Sequence, residues 1–217
     1  MNTNPNRQPK SRRGRESPPR RASASVPNEL IWALIGLLLT IFSTFVPVSL
    51  ASWSATTGLS SQKLGITYQI GAVLLTGCLG GKNAGLLAQV AYIFLGLTWL
   101  PVFAQGGGMG YLKEPSFGYI LGFMPGAWLC GWLAFRWRAK IETLALSAFA
   151  GLLVIHLCGL LYMLGLSIFQ PQAGQITFPD SLPTLFMNYS VWPFLGQLVV
   201  ICVVVIIAFF FRKLLFY

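Results

Sequence analysis

A chain of 217 residues with 55% hydrophobic and only 9% charged side chains cannot cover a water-facing globule, because soluble domains carry about 25% charged residues. The same length suits six apolar spans of roughly 20 residues joined by short loops. An all-α integral membrane protein of about six transmembrane helices is therefore expected, with the lipid bilayer as its solvent and no nucleic-acid partner.

The net charge of +10 is unevenly placed, since Arg7, Lys10, Arg12, Arg13, Arg15, Arg20 and Arg21 crowd a Pro- and Ser-rich leader. Residues 1–27 hold too few apolar side chains to offset the entropy of ordering. They read as a disordered basic cytoplasmic tail drawn to anionic lipid, ahead of a membrane domain over 28–217. A nucleic-acid arm or a transit peptide shares the Arg-rich, acid-poor composition. The leader, however, lacks amphipathic spacing and runs straight into an apolar span. Arg12-Arg13 is followed by Gly14-Arg15-Glu16 and not by an apolar run, which argues against a twin-arginine export signal.

Sustained apolarity marks six spans, near 29–48, 65–81, 83–103, 117–135, 143–169 and 184–211. Pro47 and Pro101 fall at span ends, where proline stops a helix cheaply. Pro125 and Pro193 fall inside spans and are expected to kink them. With the amino terminus inside, the cytoplasmic segments hold thirteen cations: the seven of the tail, Lys82, Arg136, Arg138, Lys140, Arg212 and Lys213. The outer loops keep two, Lys63 and Lys113. The positive-inside rule then puts both termini in the cytoplasm and loops 49–64, 104–116 and 170–183 outside.

The chemistry available is narrow. All five acidic residues, Glu16, Glu29, Glu114, Glu142 and Asp180, lie in the tail, in loops or at span ends. A proton-driven pump places an ionisable relay within the membrane, and only His156 lies there; a solitary histidine reads as a hydrogen-bonded packing residue. No His/Glu cluster suits zinc and no serine elbow occurs, so neither an enzyme nor a bound metal or cofactor is expected. Gly80-Gly81-Lys82-Asn83 fails as a phosphate loop, because Thr76 stands at the first glycine position and Asn83 at the Ser/Thr position. Cys78, Cys130, Cys158 and Cys202 lie singly in apolar spans and read as packing thiols.

Uncharged polar and aromatic groups remain near the outer leaflet. Gln89, Tyr92 and Gln105 lie on or after the third span, Tyr111, Lys113, Ser116 and Tyr119 flank the fourth, and Asn188, Tyr189, Trp192 and Gln197 lie on the sixth. Tyr and Trp at that depth also serve as interfacial anchors. A membrane-buried amide such as Gln89 or Gln197 must find partners, in helix packing or in a ligand. The loop bearing Gly106, Gly107, Gly108 and Gly110 either connects two spans or brings backbone close to a ligand as a lid.

The stretch Gly85–Phe123, GLLAQVAYIFLGLTWLPVFAQGGGMGYLKEPSFGYILGF, resembles BioY, the substrate-binding (S) subunit of energy-coupling-factor (ECF) vitamin transporters. Tyr92, Leu95, Gly96, Leu100, Pro101, Val102 and Phe103 match the family's Tyr-then-LG-then-LPVF pattern. Pro115, Ser116, Gly118, Tyr119, Gly122 and Phe123 match its later GPT-x-GY-x-x-GF pattern, with Glu114 in place of the first Gly. The resemblance covers about 40 residues tightly and the six-span layout loosely. It implies biotin uptake, with biotin captured from outside by Gln89, Tyr92, Gln105, Tyr111, Lys113, Ser116, Tyr119, Asn188 and Gln197 and covered by the glycine loop.

In the last span the family typically has an Asp and, three residues on, a Lys; here Gln197 and Val200 stand in those places. A glutamine amide can still bond a ureido group. The resemblance then leaves the ligand's carboxylate to Lys113 or to backbone N–H groups at a helix start. It also implies a scaffold (T) subunit and two cytoplasmic ATPase subunits as partners, docked through the small residues Gly36, Thr40 and Thr44, in a bacterial inner membrane. An S subunit for a biotin-like vitamin or precursor, and a non-transporting membrane scaffold, are the alternatives.

Overall fold

The computed structural model describes residues 26–54, 58–169 and 186–215, with 49–54, 58–65 and 169 described through their backbone alone. The basic tail up to residue 25 and the whole of the expected outer loop 170–183 lie outside the described residues. Among the described residues, five helices are long and apolar enough to cross a membrane. They are α1 (Val26–Thr44), α2 (Gln69–Thr98), α3 (Phe117–Arg136), α4 (Ile141–Phe169) and α5 (Trp192–Leu214).

The expected second and third spans are two arms of α2, which doubles back at Gly81. That residue has φ 83° and ψ −176° inside an otherwise helical segment, a conformation open chiefly to glycine. In a straight helix, residues 69 and 92 would stand about 34 Å apart, yet Gln69 Nε2 donates to the Tyr92 hydroxyl at 2.9 Å. A Cβ on Gly77 or on Gly85 would also approach the same residue, Ala127, at 2.8 and 3.2 Å. Gly131 of α3 receives the reversal so closely that a Cβ there would lie 2.5 Å from the Gly81 carbonyl carbon and the Lys82 nitrogen.

The fold-back gathers opposite ends of the chain. Asn83 donates to Glu29 at 2.9 Å, Trp32 packs at Gly80, and Arg212 Nη1 donates to the Ala134 carbonyl at 2.7 Å. The start of α1, the α2 reversal, the end of α3 and the end of α5 thus share one end of the bundle. Thr44, Gln69, Tyr92 and the loop after α2 share the other.

Small residues set the helix contacts. Gly118, Gly122 and Gly126 make a four-residue-spaced stripe on α3 against α4, where a Cβ would meet Tyr162, the Ile155 backbone and Gly151 respectively. Val200 is buried on α5 at 3% exposure and packs against Gly71 of α2. Cys78 and Cys130, expected singly, meet across α2 and α3 with Sγ atoms 3.5 Å apart as free thiols. The cause is again the fold-back, which brings residues distant in sequence together.

Several boundaries differ from expectation. Residues 47–67 form an antiparallel pair, β1 (Pro47–Ser54) and β2 (Gly58–Thr67), with Pro47 opposite Thr67 and Ser54 opposite Gly58. The first span accordingly ends at Thr44. The third ends at Thr98, where the Leu95 carbonyl accepts from both Trp99 and Leu100 ahead of Pro101. Pro193 sits in the first turn of α5, just after a π-helical turn, Met187–Val191. The Trp192 N–H bonds the Met187 carbonyl five residues back, so the irregularity precedes the proline.

A Gly122→Val substitution drives a branched side chain into the Ile155 backbone, whereas a Cβ added at Gly165 would have nothing within 4 Å. The first change should destabilise the protein by about 1–3 kcal/mol and Gly165→Ala should not, as read by thermal unfolding in detergent.

Candidate functional site

A cavity of about 270 Å³ opens among the start of α2, the loop after it, the start of α3 and the start of α5. Because all four elements begin or end at the same end of the bundle, depth can be read along them. Thr67, Ala104, Tyr111, Ser116 and Asn188 stand toward the mouth, and Ile70, Phe123 and Gln197 toward the floor. Gln197 is buried to 8% exposure, and its Oε1 has no hydrogen-bond partner. An unpaired buried amide oxygen costs about 1–3 kcal/mol, which a ligand N–H would offset.

The mouth is held by aromatic packing. Phe103 is fully buried and lies against Tyr92 at 5.3 Å and Tyr111 at 4.7 Å between ring centroids. Gly96 makes room for its ring. The Tyr111 oxygen accepts from Ser116 Oγ at 3.3 Å and from the backbone of Gln105, while its own pKa is raised. Burial is the largest cause, opposed by the Ser116 bond and reinforced by the Glu114 carboxylate. The phenol therefore stays protonated and keeps a donor for a ligand. Tyr119 lines the wall, its hydroxyl 2.5 Å from Ser190 Oγ on the π-helical turn.

Of the residues singled out by sequence, Tyr111, Ser116, Tyr119, Asn188, Tyr189 and Gln197 come together here. Gln89, Tyr92, Gln105 and Lys113 do not line the cavity. Gln89 is fully buried and donates to Thr40 Oγ1 at 3.2 Å, tying α2 to α1. Tyr92 acts one step back: it donates to the Val102 carbonyl at 3.0 Å and accepts from Gln69, which does line the cavity. Lys113 is exposed on the turn Met109–Lys113.

The glycine loop packs on a helix end and contributes no lining residue of its own. Phe103 and Gly106 exchange two backbone bonds at 2.9 and 3.0 Å, and the Gly108 N–H reaches the Gly96 carbonyl at 2.7 Å. Gly107 has backbone within 3 Å of a Cβ position, whereas Gly106, Gly108 and Gly110 face open space. Gly36, Thr40 and Thr44 also differ from expectation as a docking face. All three are buried on α1, where Gly36 meets Thr76, Thr40 meets Gln89 and Thr44 lies 3.3 Å from the Tyr92 hydroxyl. Their small size serves packing within the chain.

Sequence reasoning passed over Thr67, Gln69 and Pro193, which line the cavity. The polar run Thr67-Tyr68-Gln69 at the start of a span was the available signal. His156 is buried at 6% exposure and packs edge-on to Tyr119 and Phe194, with Nδ1 3.2 Å from the Leu152 carbonyl.

Tyr92→Phe would leave the Val102 carbonyl and Gln69 without their shared partner. A loss of about 1–3 kcal/mol in stability is expected, measured by thermal unfolding, together with weaker ligand binding as Gln69 loses its anchor.

The chain is similar to known proteins in sequence and in fold. A family model, the BioY family, matches residues 17–216. An uncharacterized 21.2 kDa protein of the psbX-ycf33 intergenic region in Cyanophora paradoxa is 28% identical over 188 residues, covering 86% of this chain and 95% of that one. The biotin transporter BioY of Thermotoga maritima is 40% identical over 94 residues, 43% of this chain and 55% of that protein. The probable biotin transporter BioY of Lysinibacillus sphaericus is 39% identical over 98 residues, 45% of this chain and 50% of that protein. The crystal structure of the S-component for biotin from an ECF-type ABC transporter superposes with a TM-score of 0.63 at 19% identity, covering 86% of this chain and 92% of that one. With 200 consecutive residues matched by the family model, this chain belongs to the BioY family.

Proposed function

We propose that this protein is a membrane subunit for biotin uptake, which binds biotin in the cavity floored by Gln197 and hands it across the bilayer with energy from partner subunits. The observation that carries this reading is the unpartnered Gln197 Oε1 at the floor of a small, uncharged cavity. A cyclic urea offers two N–H donors and one carbonyl acceptor, and a primary amide can answer both kinds.

The cation distribution supports an orientation with this cavity open to the outside. Lys82, Arg136, Arg138, Lys140, Arg212 and Lys213 are all at the opposite end of the bundle, and positive charge is retained on the cytoplasmic side. The host is a bacterial inner membrane or one of bacterial descent. Energy comes from a scaffold subunit and two cytoplasmic ATPases, in keeping with a chain whose acidic residues avoid the span centres.

Equilibrium binding of biotin to the purified protein in detergent tests this reading, with dethiobiotin and thiamine as comparators. Saturable, biotin-selective binding is expected. Preference for dethiobiotin would mark a precursor subunit, and no saturable site in folded protein would leave a membrane scaffold. Gln197→Ala removes the floor amide and should weaken biotin by roughly tenfold or more, the scale of one buried polar contact. Binding equal to the parent would displace the ligand from that floor.

A further inference from the structure

The polar groups of the cavity are hydroxyls and amides. Thr67, Gln69, Tyr111, Ser116, Asn188 and Gln197 are among those that supply them, and no charged side chain lines the cavity among the described residues. The full sequence narrows the sources of a cation further. Between the end of α1 and the start of α2, through the loop after α2, and across residues 170–185, the only cations are Lys63 and Lys113. Lys113 is exposed and lies outside the lining. The position one turn beyond Gln197 on α5 is Val200, which is buried against Gly71 and could not turn toward a ligand.

Depth decides which part of the ligand meets which wall. Gln197 is nine residues beyond Asn188 on one helical segment, so it lies about 13 Å farther from the mouth. A ureido head on the floor amide leaves the acyl tail running outward to Tyr111, Ser116 and Asn188. Those are neutral donors. The charge that does act there is negative, since Glu114 contributes to the raised pKa of Tyr111, after burial.

Resting on the proposed biotin site, we infer that recognition is through the ureido head, and that the site accepts biotin derivatives with an uncharged tail, amides and esters, as readily as the free acid. A carboxylate entering the mouth loses hydration and meets no ion-pair partner. An amide or ester carbonyl uses the same hydroxyl and amide donors without that loss. The cavity therefore does not select for the tail's negative charge.

The test is equilibrium binding of biotin, biotinamide and biotin methyl ester to the full-length protein in detergent at neutral pH. The two neutral ligands should bind within tenfold of biotin. Biotin binding well while both neutral ligands lose more than tenfold would overturn the inference and leave the biotin reading intact. Failure of all three ligands in folded protein would overturn both. A Lys63→Ala, Lys113→Ala double variant separates a reaching lysine from a truly neutral mouth. Its ratio of biotin to biotinamide affinity should equal the parent's, and a drop in biotin alone would contradict the inference.

Discussion

The structure depends on one backbone reversal. Gly81 adopts a positive φ and rests on Gly131 with no room for a side chain between them. Because the two arms of α2 turn there, Gln69 returns to the level of Tyr92, and both arms can share α1 and α3 as neighbours. Thr76 and Gln89, on different arms, then face Gly36 and Thr40 on the same stripe of α1. Without the reversal, the opening of α2 would lie far from the loop that follows it, and the cavity between them would not exist.

Buried polar groups divide into two kinds around that frame. Gln89 Nε2, Thr40, Thr44 and Tyr92 bond one another across α1, α2 and the following loop, and in a bilayer such bonds hold helices that share no hydrophobic drive to associate. Gln197 keeps an unpaired oxygen on the floor of the cavity. The Gln89 Oε1 is unpaired as well, but Gln89 does not line the cavity; at Gln197 an entering ligand can supply the missing donor and offset its cost.

The sequence makes the span pattern legible because a bilayer demands long apolar runs. Even the break near residue 82 shows, since Gly80, Gly81 and Lys82 interrupt apolarity there. The β1–β2 pair was not legible. Its order comes from backbone pairing between stretches of small and polar residues that carry no strong alternation. Within the site, Gln89 and Gln197 read alike, and only packing separates the one that faces α1 from the one that faces the cavity. A helix apolar on all sides does not encode which face is inward. Gly118 and Gly122, prominent in the resemblance, pack α3 against α4, while Tyr119 between them turns its hydroxyl to Ser190. Gln69 escaped notice because a polar residue at a span end is unremarkable on its own.

The most direct measurement is an experimental structure of the protein with biotin bound. Ligand density is expected between α3 and α5, with the ureido ring within hydrogen-bond distance of the Gln197 side chain and the tail toward Tyr111 and Asn188. A ligand seated elsewhere, such as the groove beside His156 and Phe194, or one that turns its carboxylate to the floor, would contradict this assignment.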